Sequence, residues 1–317
     1  MRTDSAWRRC ALRALLLVLA GLAVGCGGRD APAADTGPDD APFTLRIGYT
    51  PYETTIVDRE AAYAAFANYL EPVLGIPVET VPVPEYLPTI DALASGRIHL
   101  TSLGSQAYLL ARQRCDLRVI ARRAAPTGRP FSYRSTLLAR RGFGLDDLEA
   151  VRQRAADLTL LFTDRASTSG YLVPRAALSR MGLDPTEAFG GIRFTGGHIG
   201  SILSLVHGEA DLAAVNNNRW EDLTTSGKVD PEQLNVLWTS ASIPNGPVVI
   251  RSDVPGRITE AVTRELVTLP ETAPAVWSAF AAQYPDPAFI YVRADHTAYA
   301  GLDALFQPDL PNQASLK

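Results

Sequence analysis

Three segments of this sequence put glycine and hydroxyl side chains where an apolar strand gives way to a helix. The amides of a first helical turn lack partners within the helix, and with the positive end of the helix dipole they favour an anion. Residues 163–174 are the most pointed case. Ser167, Thr168 and Ser169 stand in a row before Gly170, a few residues after the apolar run 158–162. These hydroxyls and amides can hold an oxyanion without lysine or arginine, and Gly170 would let the backbone come close to it. The same tripeptide can also serve only as a helix cap. Residues 194–198 repeat the arrangement and end in Gly196, Gly197 and His198, with the histidine as a hydrogen-bond donor or as a capping residue. Residues 102–106, with Gly104 and Ser105, form a third such junction. Two of these starts facing a third would clamp an anion.

The elements that must carry these junctions alternate. Residues 43–49 alternate apolar and polar side chains as a strand does, and 59–74 put Ala62, Phe66, Tyr69 and Leu70 on one helix face. Strands are expected at 76–83 and 98–103, with a short helix ending at Gly96 between them and another helix over 105–114. This βαβαβ order implies a mostly parallel sheet with helices on both faces. Apolar segments 117–121 and 136–139 then flank a stretch with Pro126, Gly128 and Pro130. A second series follows, with strands at 158–162, 192–194 and 211–215 and helices starting at Ser169 and His198. Strands at 235–239 and 247–250 carry the chain back, and helices at 257–269 and 272–282 would cover the first unit. The expected fold class is α/β and two-lobed. Lobe 1 is residues 43–125 plus 245–317 and lobe 2 is 126–244, with two crossovers and a ligand cleft between them.

Composition narrows the partners. The 317 residues are 46% hydrophobic and 20% charged, which excludes disordered, collagen-like and polytopic membrane classes. A net charge of -4 offers no surface for nucleic acid. Arg2, Arg8, Arg9 and Arg13 lead into the 12-residue apolar run 14–25, too short to span a bilayer and of signal-peptide length. It ends Ala23, Val24, Gly25, Cys26, a pattern similar to a bacterial lipoprotein signal. Residues 1–25 are therefore expected to be removed and Cys26 lipidated, anchoring the protein to a membrane of the cell envelope. A conventional signal peptide cut nearby is the alternative. Residues 27–42, rich in glycine, proline and aspartate, can bury nothing and read as a tether. Processing removes four arginines and Asp4, so 26 basic and 33 acidic residues leave a charge of -7. Cys115 is then the remaining free thiol, a partly buried structural residue or a soft ligand for a thiophilic oxyanion. His99, His198, His207 and His296 show no metal-ligand spacing, and neither metal nor other cofactor is expected.

Residues 167–174, then Gly197 with His198, and Asp211 through Asn217, resemble the phosphonate/phosphite-binding proteins of ABC importers. Glu85 with Tyr86, Leu103 through Ser105 and Trp238 through Pro244 match in the same order. The resemblance implies a type II periplasmic-binding fold and a monomeric, non-enzymatic protein. Such a protein captures a small phosphorus oxyanion and delivers it to a membrane permease. It also implies that Ser167, Thr168, Ser169 and His198 hold the ligand oxygens. Tyr86 and Tyr133 would line the cleft, with Ser105, Asn217 and Asn218 completing the ligand-binding set.

Departures from the family pattern bear on the ligand. Members that take aminoalkyl phosphonates present acidic residues to the ammonium group, at places held here by Asn218 and Gly246. A buried ammonium without a carboxylate costs several kcal/mol to desolvate. So 2-aminoethylphosphonate is expected to bind poorly, and a compact anion such as phosphite, phosphate or methylphosphonate to be preferred. Two other outputs stay open. The same fold can serve a membrane sensor kinase, reading a phosphorus or arsenic oxyanion. A secreted phosphate-ester hydrolase is the enzyme alternative, although the sequence has no Gly-x-Ser-x-Gly elbow.

Overall fold

A computed structural model describes residues 43–50, 59–84, 86–282 and 288–303. The signal peptide, Cys26 and the tether expected over 1–42 lie outside the described residues. The chain opens with β1 (Leu45–Tyr49), α1 (Arg59–Leu74), β2 (Val78–Pro82), α2 (Leu87–Ala94), β3 (Leu100–Ser102), α3 (Ser105–Ala111) and β4 (Leu117–Ala124). It crosses through β5 (Ser132–Tyr133) into β6 (Ser135–Arg140), α4 (Leu148–Arg154) and β7 (Thr159–Phe162). A π-helical turn at Thr168–Leu172 leads into α5 (Val173–Arg180), α6 (Pro185–Ala188), β8 (Gly191–Phe194), α7 (His198–Val206), β9 (Leu212–Asn216), α8 (Asn217–Thr225) and β10 (Leu234–Thr239). The return runs through β11 (Ile243–Pro244) to β12 (Pro247–Arg251), α9 (Gly256–Thr272), α10 (Pro274–Ala281), β13 (Ile290–Arg293) and α11 (Ala300–Asp303).

These strands form two main sheets. The first has the order β13-β4-β12-β3-β1-β2, and the second β10-β6-β9-β7-β8. Strands β1 to β4 point one way, and β12 and β13 run against them. In the second sheet β7 to β10 share a direction and β6 opposes them. The opposing strands are those laid down beside each crossover, together with the late edge strand β13. Each sheet is buried on both faces, so its central strands carry little polarity. Residues 212–215 of β9 are fully buried, as are Leu138 and Ala139 of β6.

The two C-terminal helices do cover the first sheet. Ile258, Val262, Leu266 and Leu269 of α9, with Phe280 of α10, share one core with Phe66 and Leu70 of α1. Each such side chain buried contributes roughly 1.5–3 kcal/mol. The second sheet has its own two cores, around Phe162 and Leu178 on one face and Ile202 and Leu205 on the other.

The crossovers pair with each other. Strands β5 and β11 form a two-stranded antiparallel ribbon, with Ile243 opposite Tyr133. The Asn245 amide donates to the Phe131 carbonyl at 3.2 Å beside it. This ribbon carries both connections between the sheets, so a change of angle between them must bend it.

Several elements have no counterpart in the expected pattern, helix α8 and strand β13 among them. Helix α8 is polar along most of its length and buries Leu223 alone, so its apolar face is nearly invisible. It is held instead by Asn216, whose side chain caps the Asn218 amide, and by an Arg219–Asp222 pair one turn apart. Strand β13 has four residues at a sheet edge, too short for a clear period.

Candidate functional site

A cleft of about 540 Å³ lies where the carboxyl ends of β1 and β3 face the helix starts of the second sheet. Tyr86, Tyr133, Ser167, Thr168, Ser169, His198 and Asn218 line it, so seven of the nine expected ligand-binding residues meet there. Ser105 and Asn217 do not line it. The Ser105 hydroxyl is fully buried and donates to the Pro244 carbonyl at 3.0 Å, tying α3 to the return crossover. Asn217 accepts from the Arg134 amide at 2.7 Å and donates to Glu221 at 3.0 Å. Its neighbour Asn216 lines the cleft in its place. Residues 216–218 begin a helix, so successive side chains point about 100° apart and the middle one turns away.

Three of the four residues that carry the anion hypothesis share one arrangement. Ser167 Oγ accepts from the Gly170 amide at 3.0 Å, and Thr168 Oγ1 accepts from the Gln106 amide at 2.8 Å. His198 Nδ1 accepts from the Asn216 amide at 3.2 Å. A hydroxyl that already accepts keeps its O–H to donate, and a neutral imidazole that accepts at Nδ1 carries its proton on Nε2. Backbone amides therefore orient all three side chains as donors. Ser169 also lines the cleft, its carbonyl taken by the Ser135 hydroxyl at 2.6 Å.

The Gln106–Thr168 bond joins the first sheet's helix start to the second sheet's turn, so two of the three junctions touch directly. Ala166, two residues earlier, is fully buried in the core around Val83, Ile90 and Leu103 of the first lobe. The turn that follows is π-helical, a wider coil that recurs at functional sites. Gly170 also has a packing role. A Cβ there would sit 1.9 Å from Thr163 Oγ1, so the missing side chain lets the turn close onto the end of β7. Close approach of Gly170 is to Thr163.

Tyr86 holds the left-handed region at φ 63° without being glycine. Such backbone costs about 1–3 kcal/mol and concentrates at binding sites. Its ring is thereby set into the cleft directly before α2.

Residues that local sequence signals did not single out also line the cleft: Tyr49 and Tyr63, whose rings stack at 5.1 Å, and Arg59. Carboxylates are present too. Glu221 and Asp222 line the cleft one turn beyond Asn218, with Asp222 paired to Arg219 at 2.9 Å. The positions of Asn218 and Gly246 hold no acid, but residues three and four beyond Asn218 share its helix face and bring carboxylates to the cleft. Cys115 is absent from the lining, and burial pushes its thiol above the usual range. A thiolate ligand for a soft oxyanion is disfavoured there.

Asp164 braces the turn that leads to Ser167, whose amide donates to its carbonyl at 2.9 Å. Its carboxylate accepts from the Ala166 amide at 2.7 Å, and desolvation raises its pKa above the ordinary 3.8. A carboxyl whose folded pKa is raised contributes stability below its unfolded pKa, and that contribution is lost as pH climbs through the folded value. Asp164→Asn keeps the acceptor and removes the buried charge. We expect its urea midpoint to exceed that of the parent at pH 7, with the gap closing near pH 3.

A model of the family described as ABC transporter, phosphonate, periplasmic substrate-binding protein matches residues 47–289. A phosphate-import protein of Mycolicibacterium smegmatis is 28% identical over 248 residues, covering 74% of each chain. The binding protein component of a phosphonate ABC transporter from Pseudomonas aeruginosa superposes with a TM-score of 0.69 at 23% identity, over 83% of this chain and 85% of that one. PhnD1 from Prochlorococcus marinus, solved with methylphosphonate, gives 0.67 at 19%, over 84% and 97%. Two sheets joined by a paired crossover and a cleft of oriented donors agree with the match over most of the folded part. The chain belongs to the family of periplasmic substrate-binding proteins of phosphonate ABC transporters.

Proposed function

We propose that this protein captures a small phosphorus oxyanion, such as phosphonate, phosphite or phosphate, outside the cytoplasm for an ABC importer. The observation that carries this reading is the set of three side chains, Ser167, Thr168 and His198, each accepting from a backbone amide and so presenting a hydrogen. A tetrahedral oxyanion is rich in acceptors, and oriented donors replace its water at little reorganisation cost. The relative named for phosphate import and the neighbour solved with methylphosphonate support the same chemistry. The protein is a monomeric carrier with no catalytic step. Lobe 1 is residues 43–125 plus 245–317 and lobe 2 is 126–244, closing about the β5–β11 ribbon. Cys26 bears a lipid anchor, and the tether lets the lobes reach a permease.

Thermal-shift screening of the chain from residue 26 tests this against phosphite, phosphate, methylphosphonate, 2-aminoethylphosphonate and arsenite. At 100 times its dissociation constant a ligand adds roughly 2.7 kcal/mol of stability. No shift with any phosphorus oxyanion would sink the reading. Ser167→Ala and Thr168→Val should each weaken phosphonate affinity by about 1–2 kcal/mol. Affinities unchanged in calorimetry would reduce both residues to structural caps.

A further inference from the structure

The wall of the cleft formed by the first sheet carries charge as well as neutral donors. Arg59 is the first residue of α1, and it lines the cleft. One terminal nitrogen donates to the Thr50 carbonyl at 2.9 Å. Its Nε is buried with no hydrogen-bond partner, and among the described residues no carboxylate pairs with the guanidinium. A buried guanidinium nitrogen without an acceptor is costly, and one that lines a cleft is a candidate for a bound anion.

Arg59 comes from a different element from the donors already described. Thr50 continues β1, which runs beside β3 with Ile47 level with Leu100. Strand β3 leads into α3, whose Gln106 amide meets Thr168. Neighbouring strands lie about 4.8 Å apart, so the anchor of Arg59 is about one strand spacing from the helix start. Other charged side chains among the described residues line the cleft as well. Arg219 is matched by Asp222 at 2.9 Å, Glu221 is held by Asn217, and Arg123 lies on the lining near the ring of Phe289. The volume, about 540 Å³, is several times that of a tetrahedral oxyanion.

We propose that the ligand is a phosphonate whose short substituent ends in a second anionic group, and that Arg59 receives that group. The inference rests on the oxyanion reading above and adds the substrate class. A guanidinium suits either occupant, since its planar fork matches carboxylate and phosphoryl oxygens alike.

Calorimetry on the chain from residue 26 decides it, using methylphosphonate, phosphonoacetate, 3-phosphonopropionate, methylenediphosphonate and 2-aminoethylphosphonate. At least one ligand with two anionic groups should bind ten times more tightly than methylphosphonate. The phosphonocarboxylate and diphosphonate arms show which group is preferred. In Arg59→Met that ratio should fall tenfold, and Arg59→Lys, which keeps the charge, should restore part of it. Methylphosphonate binding as tightly as every longer ligand would overturn the proposal. Equal losses on all ligands in Arg59→Met would do the same, by placing Arg59 on the shared phosphoryl group. Tightest binding of 2-aminoethylphosphonate would overturn it in favour of Glu221 as the specificity residue. Binding of no phosphorus compound by the parent protein would instead remove the oxyanion reading itself.

Discussion

Gly246→Ala should lower stability by about 3 kcal/mol or more and weaken ligand capture with it. A Cβ at this position would lie 1.7 Å from the Leu103 carbonyl oxygen, 2.8 Å from its carbon and 3.0 Å from Gly104 Cα. All three atoms belong to the backbone, so no rotamer change can relieve the contact. Overpacking costs typically 1–3 kcal/mol, and a clash with fixed main chain stands at the upper end. The displaced segment matters for function. Leu103 donates to the Pro247 carbonyl at 3.0 Å and leads into α3, whose Gln106 amide meets Thr168. Moving it pulls the first lobe's helix start off the second lobe's donor turn. Urea unfolding and calorimetry should show both losses. Gly256→Ala is the control, since nothing lies within 4 Å of a Cβ there, and it should stay within about 0.5 kcal/mol of the parent. A Gly246→Ala protein that unfolds with the parent would show that the two segments are further apart.

Acid should destabilise the protein through His99. His99 is 7% exposed, and its Nδ1 accepts from the Arg46 amide at 3.0 Å while the Arg46 guanidinium lies 3.2 Å from Nε2. Burial first, then the Arg46 charge, lowers its pKa from 6.5 to about 4. The unfolded chain therefore binds a proton at His99 between these values that the folded chain refuses. Stability due to the neutral ring is complete above pH 6.5 and is lost as pH falls towards 4. Each pKa unit corresponds to about 1.4 kcal/mol, which puts the whole effect at about 2–3 kcal/mol after allowing for solvent screening. His99→Gln keeps an acceptor for the Arg46 amide and removes the titration. The difference between urea stabilities at pH 7 and pH 4.5 should be smaller in this variant by most of that amount. An identical pH dependence would assign the acid sensitivity to other groups.

The sequence carried the anion-binding chemistry at the level of types and order. Ser167, Thr168 and His198 stand at helix starts because glycine turns and hydroxyl caps act within a few residues, and such signals survive without any tertiary information. The strand and helix order was legible for the same reason. Buried strands of both sheets read as apolar runs, and α1 repeats its buried face every three or four residues. Helix α8 was hidden because its support is polar, and Asn217 was misplaced as a consequence.

What the sequence by itself determined was therefore an α/β chain with three anion-type helix starts, carrying its chemistry in neutral donors despite a net charge of -4. Only the tertiary structure decided which of those starts meet. It joined the Gln106 amide to Thr168, turned Ser105 onto a crossover, and set Arg59, Glu221 and Asp222 around one cleft. The reason is one of range. Caps and periodicity are settled by neighbours in the chain, whereas the groups facing each other across a cleft are set by sheet order and by two crossovers over a hundred residues apart.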